Sequence, residues 1–222
     1  MPARKIPKNY RNVTGVVAAR KAQGEAAFES ALERDFLILL DFDPMVQSFE
    51  VQPVTIHWTD PTRNNRSYTL DCLVHFEDEH QKAILFEVKY RNEFWREWPQ
   101  MRPKYRAAVH YGNLVQRRFR IVTEKEVRTQ YLENARFLTP FVRREPESPA
   151  LIERLIKVIT ELQQSTPNDL LATLSHDRME QALFMPALWF LIGTFKIGVD
   201  LWQPLNMKSK IWAVHRSAPH LA

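Results

Sequence analysis

Residues 66–90, "RSYTLDCLVHFEDEHQKAILFEVKY", hold two runs of strand character, YTLDCLVHF and KAILFEVKY, joined by the acidic turn EDEHQ. Branched and aromatic residues on either side of a polar turn read as antiparallel neighbours in a sheet. Side chains alternate across a strand, so Glu87 and Lys89 share one face while Phe86 and Val88 take the other. Charges are rarely buried without partners. Two of them at the mouth of a core strand pair with each other, bind an ion or touch a substrate.

Working outward, "GEAAFESALERDFLILLDFDP" (24–44) sets Phe28, Leu32, Phe36, Leu39 and Leu40 at helical spacing and stops at Pro44. "VQSFEVQPVTIHW" (46–58) reads as a strand in which Pro53 marks an edge or bulge, and TDPTRNNRS as the turn after it. A helix followed by a three-stranded meander results. Downstream, residues 93–113 have helical character broken by Pro99 and Pro103, FRIVTE (119–124) is a short strand, and EVRTQYLENARFL (126–138) is helical. This alternation predicts an α/β fold with a mixed sheet. At TPFVRREPESP (139–149) proline and charge replace periodicity and mark a domain boundary. Three helices follow, in 150–164, 167–175 and 179–195, and then a tail suited to a two-stranded ribbon, the parts of a small winged-helix-like domain. The expected organisation is a basic arm over 1–20 that orders on binding, a catalytic domain over 21–145 and a mostly helical C-terminal domain over 146–222, for DNA or partner binding.

Of 222 residues, 45% are hydrophobic and 26% charged, as in a soluble globular protein. No apolar run reaches the roughly 18 residues of a membrane span, and the N-terminal "MPARKIPKNYRNVTG" lacks the apolar core of a signal peptide, so a cytoplasmic location is expected. A single cysteine, Cys72, excludes an intramolecular disulfide and a cysteine zinc cluster, and alternation points it into the core. The net charge of +5 suits a nucleic-acid partner. Its excess gathers in Arg91, Arg96, Arg102, Lys104, Arg106, Arg117, Arg118 and Arg120, opposed between them only by Glu93 and Glu97. This is the candidate DNA-facing segment, with Trp95 and Trp98 expected in the core behind it. Asp41 and Asp43 read as a helix end and a turn. The histidines, among them His57, His75 and His110, lack zinc spacing, and there is no Gly-rich phosphate loop.

Asp71 lies in the strand before Glu87, and antiparallel pairing brings the two carboxylates to one sheet edge. Paired carboxylate oxygens are what a hard cation such as Mg²⁺ takes, together with water and phosphate. Lys89, on the face of Glu87, is placed to help position the water. Taken alone, this D-x(15)-E-x-K pattern fits a solvated ion pair as well. Glu33 adds to it, as a helix carboxylate beside Leu32, Phe36 and Leu40 that completes a three-acid site if the helix packs on that edge, with Arg34 and Asp35 facing solvent. Gln52, before Pro53, turns toward the site or DNA, or makes a strand-end hydrogen bond.

The run Leu32-Glu33-Arg34-Asp35-Phe36, then "LLDFDPMVQSFEVQP" (39–53), "RSYTLDCLV" (66–74) and "ILFEVKY" (84–90) together resemble the TnsA endonuclease subunit of heteromeric bacterial transposases. The resemblance covers roughly residues 28–145, with a weaker likeness in "LIGTFKIGVDLWQPL" (191–205). It implies a restriction-endonuclease-like fold and Mg²⁺-dependent hydrolysis of DNA at the 5′ ends of a transposon, with Mn²⁺ as a substitute. It also implies a TnsB-type transposase that cuts and joins the 3′ ends, and a TnsC-type ATPase regulator. By motif, the acids are Glu33, Asp71 and Glu87, the lysine is Lys89, and the main-chain oxygen of Val88 joins the metal shell. Some members carry Gln at the position of Glu87, so its loss is expected to matter less than that of Asp71. Leu70 stands where the superfamily usually has Pro. The alternatives are a free-standing restriction or repair nuclease of the same fold, or a catalytically silent scaffold.

Overall fold

The computed structural model describes residues 13–59, 63–144, 146 and 148–214. The chain packs as two compact units that divide between Thr129 and Gln130. Most of the expected N-terminal arm, residues 1–12, lies outside the described residues, as do residues 60–62 of the turn after the first strand.

In the first unit, β1 (Gly15–Val17) pairs antiparallel with β2 (Ala26–Phe28). Part of the arm is therefore a strand, and so is the stretch around Phe28 that the spacing assigns to a helix. Helix α1 (Ala31–Phe42) begins only after Ser30. The Ser30 hydroxyl accepts the Glu33 N–H at 3.1 Å, and the Glu33 carboxylate accepts from the Ser30 hydroxyl and from the Glu29 N–H. A Ser at the cap with Glu three residues on fixes a helix start locally, whatever apolar spacing precedes it.

The central sheet has the order β3 (Val46–Val51), β6 (Cys72–Phe76), β7 (Ile84–Val88) and β8 (Arg118–Val122). The first three strands are antiparallel and β8 is parallel to β7, so the sheet is mixed as expected. A parallel neighbour needs a long crossover, which α2 (Arg91–Leu114) supplies. β4 (Thr55–Thr59) and β5 (Asn65–Thr69) form a separate hairpin. Both strands that the sequence reads as continuous are thus broken, one after Val51 and one at Leu70–Asp71. Gln52 takes a left-handed φ of 50° at the first break. The two breaks are tied together, Gln52 N–H donating to Asp71 O at 2.9 Å and Leu70 N–H to Val54 O at 3.1 Å.

Alternation sorts the core. Phe86 and Val88 join Leu32, Phe36, Leu40, Phe49, Val74 and the buried Cys72 on the α1 side. Leu73 and Leu85 join Tyr68, Leu70 and Ala108 on the α2 side. Glu87 follows Leu85 in parity and so turns toward α2. That helix runs unbroken through Pro99 and Pro103. Each proline removes one i→i−4 bond, and the first freed carbonyl belongs to Trp95, which is 60% exposed and leaves water room to replace the lost donor. Trp95 and Trp98 are on the surface and not in the core. Asp35, expected in solvent, is 1% exposed, because Arg128 reaches it with Nε 2.9 Å from Oδ2. Arg128 follows the short helix α3 (Glu124–Val127), which the Thr123 and Glu126 capping box starts.

The second unit contains α4 (Gln130–Arg143), α5 (Pro149–Leu162), β9 (Gln164–Ser165), α6 (Pro167–Leu174), α7 (Arg178–Gly193), β10 (Ile197–Val199) and β11 (Ile211–Ala213). Its strands order as β10-β11-β9. From α5 onward this is helix, strand, two helices and a ribbon whose last strand is central, the winged-helix arrangement. Leu132, Leu138, Leu155, Ile159, Leu170, Leu188, Leu191 and Ile192 fill its core.

Candidate active site

Cys72 pairs with Phe86, so one further step along the antiparallel register sets Asp71 opposite Glu87. The break between β5 and β6 releases Asp71 from the ladder, and its Oδ2 accepts the Val88 N–H at 2.7 Å. Glu87 is buried; its Oε1 lies 2.7 Å from the Lys104 Nζ and its Oε2 accepts from the Tyr68 hydroxyl. Burial pushes the Asp71 carboxyl well up, and the charges of Glu87 and then Glu33 push it further. Burial also raises Glu33; its bonds to Glu29 N–H and Ser30 oppose this, and the charges of Glu29 and Glu87 add to it. The three acids therefore feel one another. A recess of about 410 Å³ is lined by Glu29, Glu33, Gln52, Tyr68, Asp71 and Lys104 among others. Another, of about 490 Å³, is lined by Glu33, Asp71, Glu87, Val88 and Lys89 among others.

Lys89 lines this second recess, but its ammonium sits 2.7 Å from Oε2 of Glu97 on α2, not on Glu87. Lys104, grouped with the DNA-facing cations by charge, is drawn inward onto Glu87. Tyr68 and Glu29 are site residues that the sequence reading missed. Tyr68 lay three positions before Asp71 in the quoted strand, but only the break at Leu70 lets both reach one carboxylate. Of the remaining DNA candidates, Arg91, Arg96, Arg102, Arg106, Arg118 and Arg120 are exposed and Arg117 is half-buried. Arg102 and Arg106, one helical turn apart, line a cleft of about 740 Å³ against β4 with His57 and His110. Asp41 accepts the N–H groups of Arg20 and Lys21, and Asp43 that of Met45, so both are structural. Gln52 donates to Glu29 Oε1 at 3.2 Å.

Among the described residues no group of three or more His, Cys, Asp or Glu side chains is arranged to hold a cation as it stands. The chemistry of the donors nonetheless fits one. All are oxygens, their charges repel, and Gln52, in the wall of the first recess, keeps its amide oxygen buried without a hydrogen-bond partner. An oxygen-only set of this kind suits a hard divalent ion.

Acids gathered where the strands of a mixed sheet break, with helices on both faces, are consistent with the restriction-endonuclease-like α/β fold that the sequence resemblance implies. Two family models match the chain, one described as TnsA-like endonuclease N terminal over residues 43–124 and one as TnsA endonuclease C terminal over residues 126–201. The chain belongs to the TnsA endonuclease family and is a DNA endonuclease of a Tn7-type transposition system, which implies DNA and other Tns proteins as partners. Comparison with curated proteins finds no match. Asp71, Glu87, Val88 and Lys89 fall within the N-terminal match, whereas Glu33 precedes it.

Proposed function

We propose that this protein is the transposase subunit that hydrolyses the non-transferred strand at the 5′ ends of a transposon, using Mg²⁺, for which Mn²⁺ substitutes. The observation that carries this reading is the placement of Asp71 and Glu87 opposite one another where the strand breaks, with the charge of Glu33 acting on Asp71. Asp71, Glu87, Glu33 and the main-chain oxygen of Val88 would hold the ion. When bound, it neutralises charge on the scissile phosphate and acidifies water. Val88 N–H fixes Asp71, and Tyr68 fixes Glu87. Glu33 is held at the helix cap and has to turn inward for three acids to share one ion. Lys89 lines the recess and, once its ammonium leaves Glu97, positions the attacking water. Arg91, Arg96, Arg102, Arg106, Arg117 and Arg118 hold the transposon-end duplex by its phosphates. A TnsB-type transposase cuts the 3′ ends and a TnsC-type ATPase links the complex to its target.

The test is strand-resolved cleavage of labelled transposon-end DNA with Mg²⁺ and the partner transposase. Asp71→Ala and Lys89→Ala are each expected to lose 5′ nicking by roughly 10²-fold or more while 3′ cutting persists. Undiminished 5′ nicking by Asp71→Ala would put the reacting centre elsewhere.

A further inference from the structure

Among the described residues, Glu87 is the one site acid with an ion-pair partner, and that partner is a lysine that its motif does not contain. Lys104 has a side chain 20% exposed, an Nζ 2.7 Å from Glu87 Oε1, and a place 3.8 Å from the centre of the Tyr68 ring, whose hydroxyl donates to the other Glu87 oxygen. A carboxylate oxygen on one side and a π face on the other make a seat for one positive charge. The seat is built, not incidental. Tyr105, next in sequence, is buried and stacks on Phe94, Trp98 and Phe119, which pins this turn of α2 to the sheet. Lys89 is on Glu97 and leaves Glu87 to Lys104.

We infer that Lys104 is a cation surrogate, which neutralises Glu87 while no divalent ion is bound and competes with that ion for the same carboxylate. Without it, Glu33, Asp71 and Glu87 would repel one another across a buried edge, since the other lysine of the recess, Lys89, is already held by Glu97. On displacement, the Lys104 ammonium remains in the recess it shares with Glu29, Glu33, Gln52 and Asp71, a position suited to a phosphate oxygen. Lys104 is thus a positioning residue for Glu87. The inference rests on the metal-dependent site proposed above.

Mn²⁺ binding by the full chain, followed by the electron paramagnetic resonance of the free ion, tests it without cleavage. Lys104→Met keeps an unbranched side chain of similar length and removes the charge. Its affinity for Mn²⁺ should rise on the order of tenfold, while its melting temperature without metal falls and recovers on adding Mn²⁺. Lys104→Arg, which keeps the charge, should bind at or below the wild-type level. Should Lys104→Met not fold, Lys104→Gln retains a donor for Glu87 and should show the same gain. An affinity that stays equal or drops in the uncharged variants overturns the surrogate role, since a lysine that only packs has no competing charge to remove. Asp71→Asn separates the two ideas: if it binds Mn²⁺ as well as wild type does, the metal site itself is misplaced, whatever Lys104 does.

Discussion

Asp35 and Asp71 are both buried carboxylates, and what surrounds each decides its part. Asp35 is bonded by the Arg128 Nε at 2.9 Å and by Arg34 at 3.2 Å, so its charge is spent within the fold. Asp71 meets other acids and a backbone N–H, so its charge is left for something else. The two arginines on Asp35 are not equal. Arg34 is its chain neighbour and holds a long contact, whereas Arg128 arrives from across the fold. Removing one partner of a buried pair leaves an under-compensated charge. Arg128→Leu should therefore destabilise by about 2 kcal/mol, and Arg34→Leu by less than about 0.5 kcal/mol, measured by urea unfolding. Equal losses would mean that Asp35 is solvated and that its depth in the fold is not what matters. At this scale the sequence was legible in part. Strand parity turns Glu87 away from Phe86 and Val88, but parity names a face, not the side chain across from it. Lys104 lies 17 residues on, in a helix whose prolines read as interruptions, and no local spacing ties it to Glu87.

At the scale of elements, the breaks and contacts that build the site are backbone events with faint sequence signals. Pro53 announced an irregularity, but the left-handed Gln52 before it, which swings β4 out of the sheet and frees Asp71, is an ordinary polar residue in the sequence. The start of α1 was legible in Ser30 and Glu33, although apolar spacing carried the helix too far back. The far end of α2 supplies a sharper case. Gly112 O accepts the Arg117 N–H at 2.8 Å, and a Cβ added at Gly112 would lie 2.9 Å from the Arg117 carbonyl oxygen. Gly→Ala inside a helix ordinarily stabilises by about 1 kcal/mol. Here the neighbour is backbone and cannot turn aside, so overpacking at roughly 1–3 kcal/mol wins. Gly112→Ala should lower the urea midpoint with an unchanged m-value, a net loss of up to about 2 kcal/mol. A raised midpoint would show that the α2–β8 connection yields easily, and that the fixed placement of Arg117 and Arg118 does not depend on it.

At the scale of the whole molecule, charge and apolar surface are divided between the units. Residues 1–129 carry 21 Lys and Arg against 17 Asp and Glu, and residues 130–222 carry 10 against 9. No described helix is long and apolar enough to cross a membrane. In the second unit the exposed start of α7, where a winged-helix domain would meet DNA, presents Met179 and Leu183. On the proposed reading, phosphate contact falls mainly to the arginines of α2 and β8. Each phosphate neutralised by Lys or Arg adds roughly 0.9 to the slope of log affinity against log salt for duplex DNA. Arg102→Ala, Arg106→Ala and Arg118→Ala combined should reduce that slope by about 2.7, with affinity falling alike for transposon-end and unrelated duplexes. Lys157→Ala with Arg178→Ala, two charges removed from the second unit, should leave the slope within about 0.5 of wild type. Fluorescence anisotropy of a labelled duplex between about 50 and 200 mM salt measures both. The reverse pattern, with the slope moved by the second pair and not by the first three, would shift the DNA-binding surface to the winged-helix unit and leave the α2 arginines as a solvated helix face.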